Sequence, residues 1–188
     1  MQILDLNRPA AQRVIGLDCS TNSIAFAIID GGRLVKWGEI DLTGRTVYDR
    51  ALDARRKVDA LAAEFDADFA CIESAVMVRS IQVAIRMAYV IGNVIASLLA
   101  IGVQVYEAKP LEWQAAIGNP ILKKIEKDVI IKANPGKTKS WYQNACRVYR
   151  KQRTMDFVLK KYGVRLLSDN VGDSVGLADY AYNKLTRR

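Results

Sequence analysis

Three acids stand where acids are expensive. Asp18 lies inside VIGLDCSTNSIAFAII (Val14 to Ile29), Glu73 closes the apolar run of DFACIESAV, and Asp173 sits between glycines in SDNVGDSVGLADYAY. A carboxylate among apolar neighbours costs several kcal/mol unless it is paired, hydrogen-bonded or bound to a metal. Taken singly, each has an ordinary explanation: a turn acceptor, a strand end, a decorated surface helix. Taken together they suggest a shared site. Carboxylates that converge cannot all ionise without a cation between them. Oxygen donors of this kind suit magnesium or manganese. A pair of such ions can align a water with a phosphodiester and steady the leaving oxygen, so no side-chain base is needed.

The rest of the composition narrows the chemistry. The chain has 188 residues, no histidine and three cysteines, Cys19, Cys71 and Cys146, far apart in sequence. The usual zinc sites and the Ser–His or Cys–His nucleophile pairs are therefore excluded. The cysteine spacing is no disulfide framework, which makes a reducing cytoplasm the expected compartment. MQILDLNRPAAQ, at the start, has neither the apolar core nor the cleavage pattern of a secretory signal.

The acids need elements to carry them. Arg13 to Asp18, Ser23 to Asp30 and Leu34 to Asp41 read as three strands, the last two joined by the tight turn Asp30-Gly31-Gly32. Helical spacing of Val47, Leu52, Val58, Leu61, Ala62 and Phe65 predicts a helix over 46–65. A buried strand follows at Phe69 to Glu73, then an apolar helix from Ile81 to Ala100 that stops at Gly102. VQVYEA is a fifth strand, and Pro110 begins a short helix to Ile117. Thr138 to Tyr162 reads as a long helix with a core stripe of Trp141, Ala145, Val148, Met155, Val158 or Leu159, and Tyr162. The last helix runs from about Val171 to Leu185. Its stripe of Val171, Val175, Ala178, Tyr182 and Leu185 leaves Asp173 about 160–200° away, on the opposite side. Gly172 and Gly176 would let that side approach another surface closely. Three hairpin-linked strands followed by βα units predict an α/β fold: a five-stranded mixed sheet, with an antiparallel three-strand wing and a parallel core, flanked by helices. That is the pattern of the RNase H-like fold, here expected as a single domain over 1–188.

Charge is concentrated in one segment. Residues 121–161 hold 12 Lys or Arg against three acids, and the remaining chain holds 16 basic and 17 acidic residues, so the net charge of +8 belongs to this stretch. Such clustering points to a polyanion, most often nucleic acid. Arg147, Arg150, Lys151 and Lys161 share a helix face, a solvated face being the plainer alternative. Trp141, Tyr142 and Tyr149 are interleaved and suited to stacking on unpaired bases, although periodicity assigns Trp141 to the core. The apolar stretch 87–102 has 16 residues. About 20 are needed to span a bilayer, so a buried helix or a subunit interface is expected and no membrane.

These motifs carry a family resemblance. From Arg13 to Asn183 the sequence resembles the RuvC-like crossover-junction endonucleases of the RNase H-like superfamily, through IGLDCSTNSIAFAII, CIES, the run QVAIRMAYVIGNVIASLLAIGVQVYEAKPLEWQAAIG, and NVGDSVGLADYA. The resemblance implies divalent-metal-dependent cleavage of four-way (Holliday) DNA junctions by a homodimer making paired nicks, with two Mg2+ or Mn2+ ions and no small-molecule cofactor. Its first acid matches Asp18, its second Glu73 and its last Asp173. The family has Asp or His three residues before that last acid. This sequence has Asn170 there, with Asp169 the adjacent alternative. A lysine contacting the scissile phosphate corresponds to Lys139, or to Lys137, and both join the expected nucleic-acid contacts. The helix 81–100 matches the usual dimer interface. Flaps, RNA and RNA–DNA hybrids remain open as substrates, as does a junction-binding protein without catalysis. Actin-like sugar and acetate kinases also open with a strand, an Asp and a Ser/Thr-rich hairpin. They need a second such domain, which nothing in the remaining sequence supplies.

Overall fold

The computed structural model describes residues 13–74 and 80–186. The stretch read as lacking a secretory signal lies outside them. Three strands come first: β1 (Arg13–Cys19), β2 (Ser23–Asp30) and β3 (Arg33–Asp41). They are followed by α1 (Val47–Glu64), β4 (Phe69–Glu73), α2 (Ile81–Ala100), β5 (Gln104–Ala108) and α3 (Pro110–Ala116). Three more helices complete the order: α4 (Lys124–Ala133), α5 (Lys139–Tyr162) and α6 (Asp169–Thr186). The strands form one sheet in the order β3-β2-β1-β4-β5. β1 and β2 pair antiparallel, as do β2 and β3, while β1 with β4 and β4 with β5 pair parallel. The wing and the parallel core are as the hairpin and βα spacing predict.

Period-two alternation sorts the strands onto two faces. Ile15, Leu17, Ala70 and Ile72 point into a core closed by α1 and α2. Val14, Phe69 and Cys71 point the other way, towards α3 and α6, as do Ala25, Ala27 and Ile29 further along the sheet. α1 is started by a capping box: Asp49 N donates to Thr46 Oγ1 at 3.1 Å, and Thr46 N donates to Asp49 Oδ2 at 2.8 Å. Leu52, expected in its apolar stripe, is 62% exposed, and Ala51 and Ala54 take the core positions instead.

α6 is more deeply packed than an amphipathic stripe implies. Val175 and Ala178 meet β2 and α5, while Leu177 and Ala181 meet β4 and α3, so the helix is buried on both flanks. Three glycines set this approach. A Cβ on Gly16 of β1 would lie 2.1 Å from Ser174 O, one on Gly176 would lie 2.5 Å from Trp113 Cζ3, and one on Gly172 would lie 2.8 Å from Met155 Sδ. None of those contacts admits a side chain without displacement: at Gly16 the helix rests on the sheet at backbone distance, and at Gly176 and Gly172 the side chains of Trp113 and Met155 fill the space.

α5 departs from its predicted stripe. Thr154 and Val158 are buried, but Trp141 is 38% exposed and Val148 is 57% exposed. The first half of the helix lies beyond the sheet and contacts α4, which has no buried residue of its own. α4 itself was not among the predicted elements. α2 is, among the described residues, the one helix long and apolar enough to cross a membrane by length and composition. Its second half packs Val90, Val94 and Leu98 into the core against α1 and the sheet.

Candidate active site

Parallel pairing brings the strand acids together. β1 and β4 run with Leu17 opposite Ile72, so Asp18 and Glu73 are the next residues at the same end of both strands. Both belong to the α6 face of the sheet by alternation. α6 begins above that end, and Asp173 comes down beside them. Asp18, Glu73, Asn170 and Asp173 line one cleft of about 620 Å³, together with Ser20 and Ser23 of the first hairpin.

The electrostatics single these acids out. Burial pushes Asp18 up to about 7, aided by the charge of Glu73, and burial with the charge of Asp18 pushes Asp173 up to about 7. Glu73 is also raised by burial, against a hydrogen bond from Trp113 Nε1 to its Oε1 at 2.9 Å. Among the described residues no donor reaches Asp18 or Asp173. Other buried acids are fully partnered: Asp53 accepts from Thr43 N and Thr43 Oγ1, both at 2.9 Å, and pairs with Lys57 and Arg56 at 2.7 Å each. Asp179 is held by Lys161, by Tyr162 Oη at 2.5 Å and by Asn183 Nδ2 at 3.0 Å. Unpartnered, raised acids in a cleft are candidates for function rather than for stability.

The donor set is chemically suited to a hard divalent cation: three half-buried carboxylates whose ionisation is opposed by burial and by neighbouring acids, with the Asn170 amide on the same cleft. Among the described residues no group of three or more His, Cys, Asp or Glu side chains is gathered tightly enough to cage an ion unaided. The carboxylates surround the cleft without closing on one point.

The structure separates the two candidates for the fourth position. Asn170 lines the cleft. Asp169, one residue and about 100° earlier on the helix, faces out to an ion pair with Lys151. Its charge still contributes to raising Asp18 and Asp173.

The basic residues also divide. Arg147, Arg150 and Lys151 line the same cleft as the acids, and the positive charge of Lys151 acts on Asp18, Glu73 and Asp173 alike. Lys139 and Lys137 are not brought there. Lys139 starts α5, about 18 Å along the helix from Lys151, and Lys137 Nζ lies 5.8 Å from the Trp141 ring centroid. Lys161 lies at the far end of α5, bound to Asp179, so it braces α5 on α6 and does not face the cleft. Arg150 is half-buried and ties α5 to α3 and the loop after it, donating through Nη2 to Gln114 and to Asn119 O.

Sequence reasoning did not single out Trp113, Lys151 as a residue beside the acids, or Glu39. Glu39 has a readable signal only once pairing is known: Asp18 is opposite Ala25, and Ala25 is opposite Glu39. The two acids thus share one face, two strands apart, or about 10 Å between their Cα atoms.

No protein-family model matches the chain, and no curated protein sequence does. Solved structures do. The RuvC of Thermus thermophilus in complex with Holliday junction substrate superposes with a TM-score of 0.70 at 13% identity, covering 92% of this chain and 94% of that one. A further Thermus thermophilus RuvC structure gives 0.65 at 14% identity, covering 92% and 95%. The yeast mitochondrial Holliday junction resolvase Ydc2 gives 0.56 at 12% identity, covering 97% and 83%. The fold is therefore that of the RuvC-like, RNase H-like proteins over nearly the whole chain.

Proposed function

We propose that this chain is a metal-dependent endonuclease that resolves four-way DNA junctions, acting as one nuclease domain over 1–188. The observation that carries the reading is the set of raised acids, Asp18, Glu73 and Asp173, the first and last of them without a donor among the described residues, on a cleft that Arg147, Arg150 and Lys151 also line. The fold shared with the Thermus thermophilus RuvC bound to Holliday junction substrate and with the yeast mitochondrial Holliday junction resolvase Ydc2 supports it.

Asp18, Glu73 and Asp173, with Asn170 beside them, would hold two magnesium or manganese ions. When bound, such ions supply Lewis acidity at phosphorus and charge for the leaving oxygen. Trp113 fixes Glu73 by its indole N–H, so this carboxylate enters the site in one orientation. Lys151, rather than Lys139 or Lys137, is the cation beside the acids and would meet the scissile phosphate. Arg147 is exposed on the wall and would neutralise a neighbouring backbone phosphate, giving affinity without base readout. Trp141, half-stacked under Lys137 and edge-on to Tyr142 with ring centroids 5.4 Å apart, offers an exposed platform to an unpaired base.

A homodimer through α2 is part of the proposal. The first half of that helix exposes Ile81, Val83, Ile85 and Tyr89, and Tyr48 of α1 continues the patch with its ring centroid 5.3 Å from that of Tyr89. A contiguous apolar surface of this sort is the usual mark of an interface. The compartment that fits three reduced cysteines and a DNA substrate is the cytoplasm.

The test is a cleavage panel of four-way junction, linear duplex, flap and RNA–DNA hybrid, with Mg2+, Mn2+ or EDTA. Paired nicks confined to the junction and abolished by EDTA are expected. Cleavage mainly of another substrate would keep the metal site and change its job. Junction binding that persists in EDTA, with no cleavage in either metal, would make the chain a binding protein.

A further inference from the structure

We infer that Glu39 is a positioning residue for the cleft: it turns the Asn170 amide so that its carbonyl oxygen serves as a metal ligand, and it supplies the negative charge that an acid at 170 would have brought. This inference rests on the metal-site reading above. Asn170 occupies the position where the resemblance implies Asp or His, and it lines the cleft with Asp18 and Asp173. Its Nδ2 lies 3.5 Å from Glu39 Oε1. An ionised carboxylate only accepts hydrogen bonds, so an amide facing it presents the NH2 group and sends Oδ1 to the other side. Asn170 and Asp173 are three residues apart and share one helix face. The freed oxygen is thus on the flank that carries the acids.

Glu39 is itself anchored for this role. Ser23 Oγ donates to its Oε1 at 3.2 Å, and Ser168 Oγ donates to its Oε2 at 3.4 Å. These partners come from β2 and from the residue before α6, so Glu39 ties the sheet edge to the start of the helix. The register Asp18–Ala25–Glu39 keeps it on the same face as the first acid. An amide ligand with a carboxylate behind it is an outer-shell arrangement whose loss weakens metal binding by about 10–100-fold. The neutral Asn170 and the charged Glu39 together then stand in for the aspartate that is one of the two residues the resemblance implies at 170.

The experiment is calorimetric titration of the DNA-free full chain with Mn2+, for wild type, Glu39→Ala, Asn170→Asp, the double variant, and Asp18→Asn as reference. Glu39 is exposed, so its removal is not expected to unfold the chain, and a urea midpoint unchanged from wild type checks this. Glu39→Ala should weaken Mn2+ binding about 10-fold or more. Asn170→Asp should recover most of that loss in the Glu39→Ala background and gain less alone, because the new carboxylate would face Glu39. Wild-type affinity in Glu39→Ala overturns the inference, as does an Asn170→Asp effect that is the same whatever stands at 39. If Asp18→Asn also binds Mn2+ like wild type, the metal-site reading itself falls. If only Asp18→Asn loses affinity, the metal site stands and the role of Glu39 is lost.

Discussion

The molecule holds two kinds of buried or half-buried aspartate, and they are built in opposite ways. Asp53, beneath the loop that enters α1, is surrounded by Thr43, Arg56 and Lys57 and held well below the usual carboxylate range, first by Lys57. Asp18 and Asp173 have no such partners among the described residues and are pushed up instead, by burial first, then by the charge of Glu73 on Asp18 and of Asp18 on Asp173. The first arrangement gains stability from ionisation. The second loses it, and a fold keeps such a loss where something else is to be bound. The same contrast separates the lysines: Lys161 is committed to Asp179, while Lys151 stands between Asp169 and the cleft.

The largest expected effect comes from breaking the partnered acid. Asp53→Ala leaves Thr43 N without its acceptor and should destabilise the fold by about 2–3 kcal/mol, read as a lower urea midpoint, whereas Asp18→Asn should leave the midpoint unchanged or raise it. Equal losses in the two variants would erase the distinction.

The second effect is a pH slope. A carboxyl whose folded value is raised from 3.8 to about 7 binds protons more readily when folded, so the stability it lends is fully present below about 4 and is lost as pH rises through 7. Urea midpoints of the metal-free chain should therefore fall more between pH 4.5 and 8 for wild type than for Asp18→Asn, and Mn2+ should restore the wild type at pH 8. Parallel curves for the two proteins would count against the unpartnered acids.

Trp113→Phe sharpens the comparison inside the site. Losing the indole donor removes the hydrogen bond that lowers Glu73 and should move the acidic limb of the cleavage–pH profile upward. A profile that stays in place would show that Glu73 does not titrate with the site. The smallest effect separates the cations. Arg147→Ala should flatten the salt dependence of junction binding by about one unit without touching stability, while Lys161→Ala should lower stability and leave that slope alone.

Much of this was legible in the residues. Acids in apolar strands are rare enough that Asp18 and Glu73 announce themselves, and the hairpin followed by βα spacing places them at one sheet end. Gly172 and Gly176 likewise signalled a close approach before its partners, Met155 and Trp113, were known. What was hidden depends on contacts distant in sequence. Gly16 looks like any strand glycine until α6 lies against it. Glu39 sits in an exposed, alternating edge strand where an acid is unremarkable. Lys151 and Lys161 occupy one helix with the same spacing pattern, and only the end of α6 each meets tells a cleft lysine from a brace. Periodicity places Trp141 in the core, whereas it is 38% exposed, because the sequence does not reveal where α5 leaves the sheet. α4 has a helix-start signal, Lys123 N donating to Glu126 Oε2 at 2.7 Å, but no buried face to mark it.

The central claim is that Asp18 is kept unpartnered in order to hold metal for cutting DNA. The direct measurement is cleavage of a synthetic four-way junction in Mn2+ by wild type and Asp18→Asn, with junction binding measured on the same samples. The account predicts paired nicks by the wild type, none by the variant, and binding retained by both. Cleavage by Asp18→Asn at the wild-type rate would contradict it.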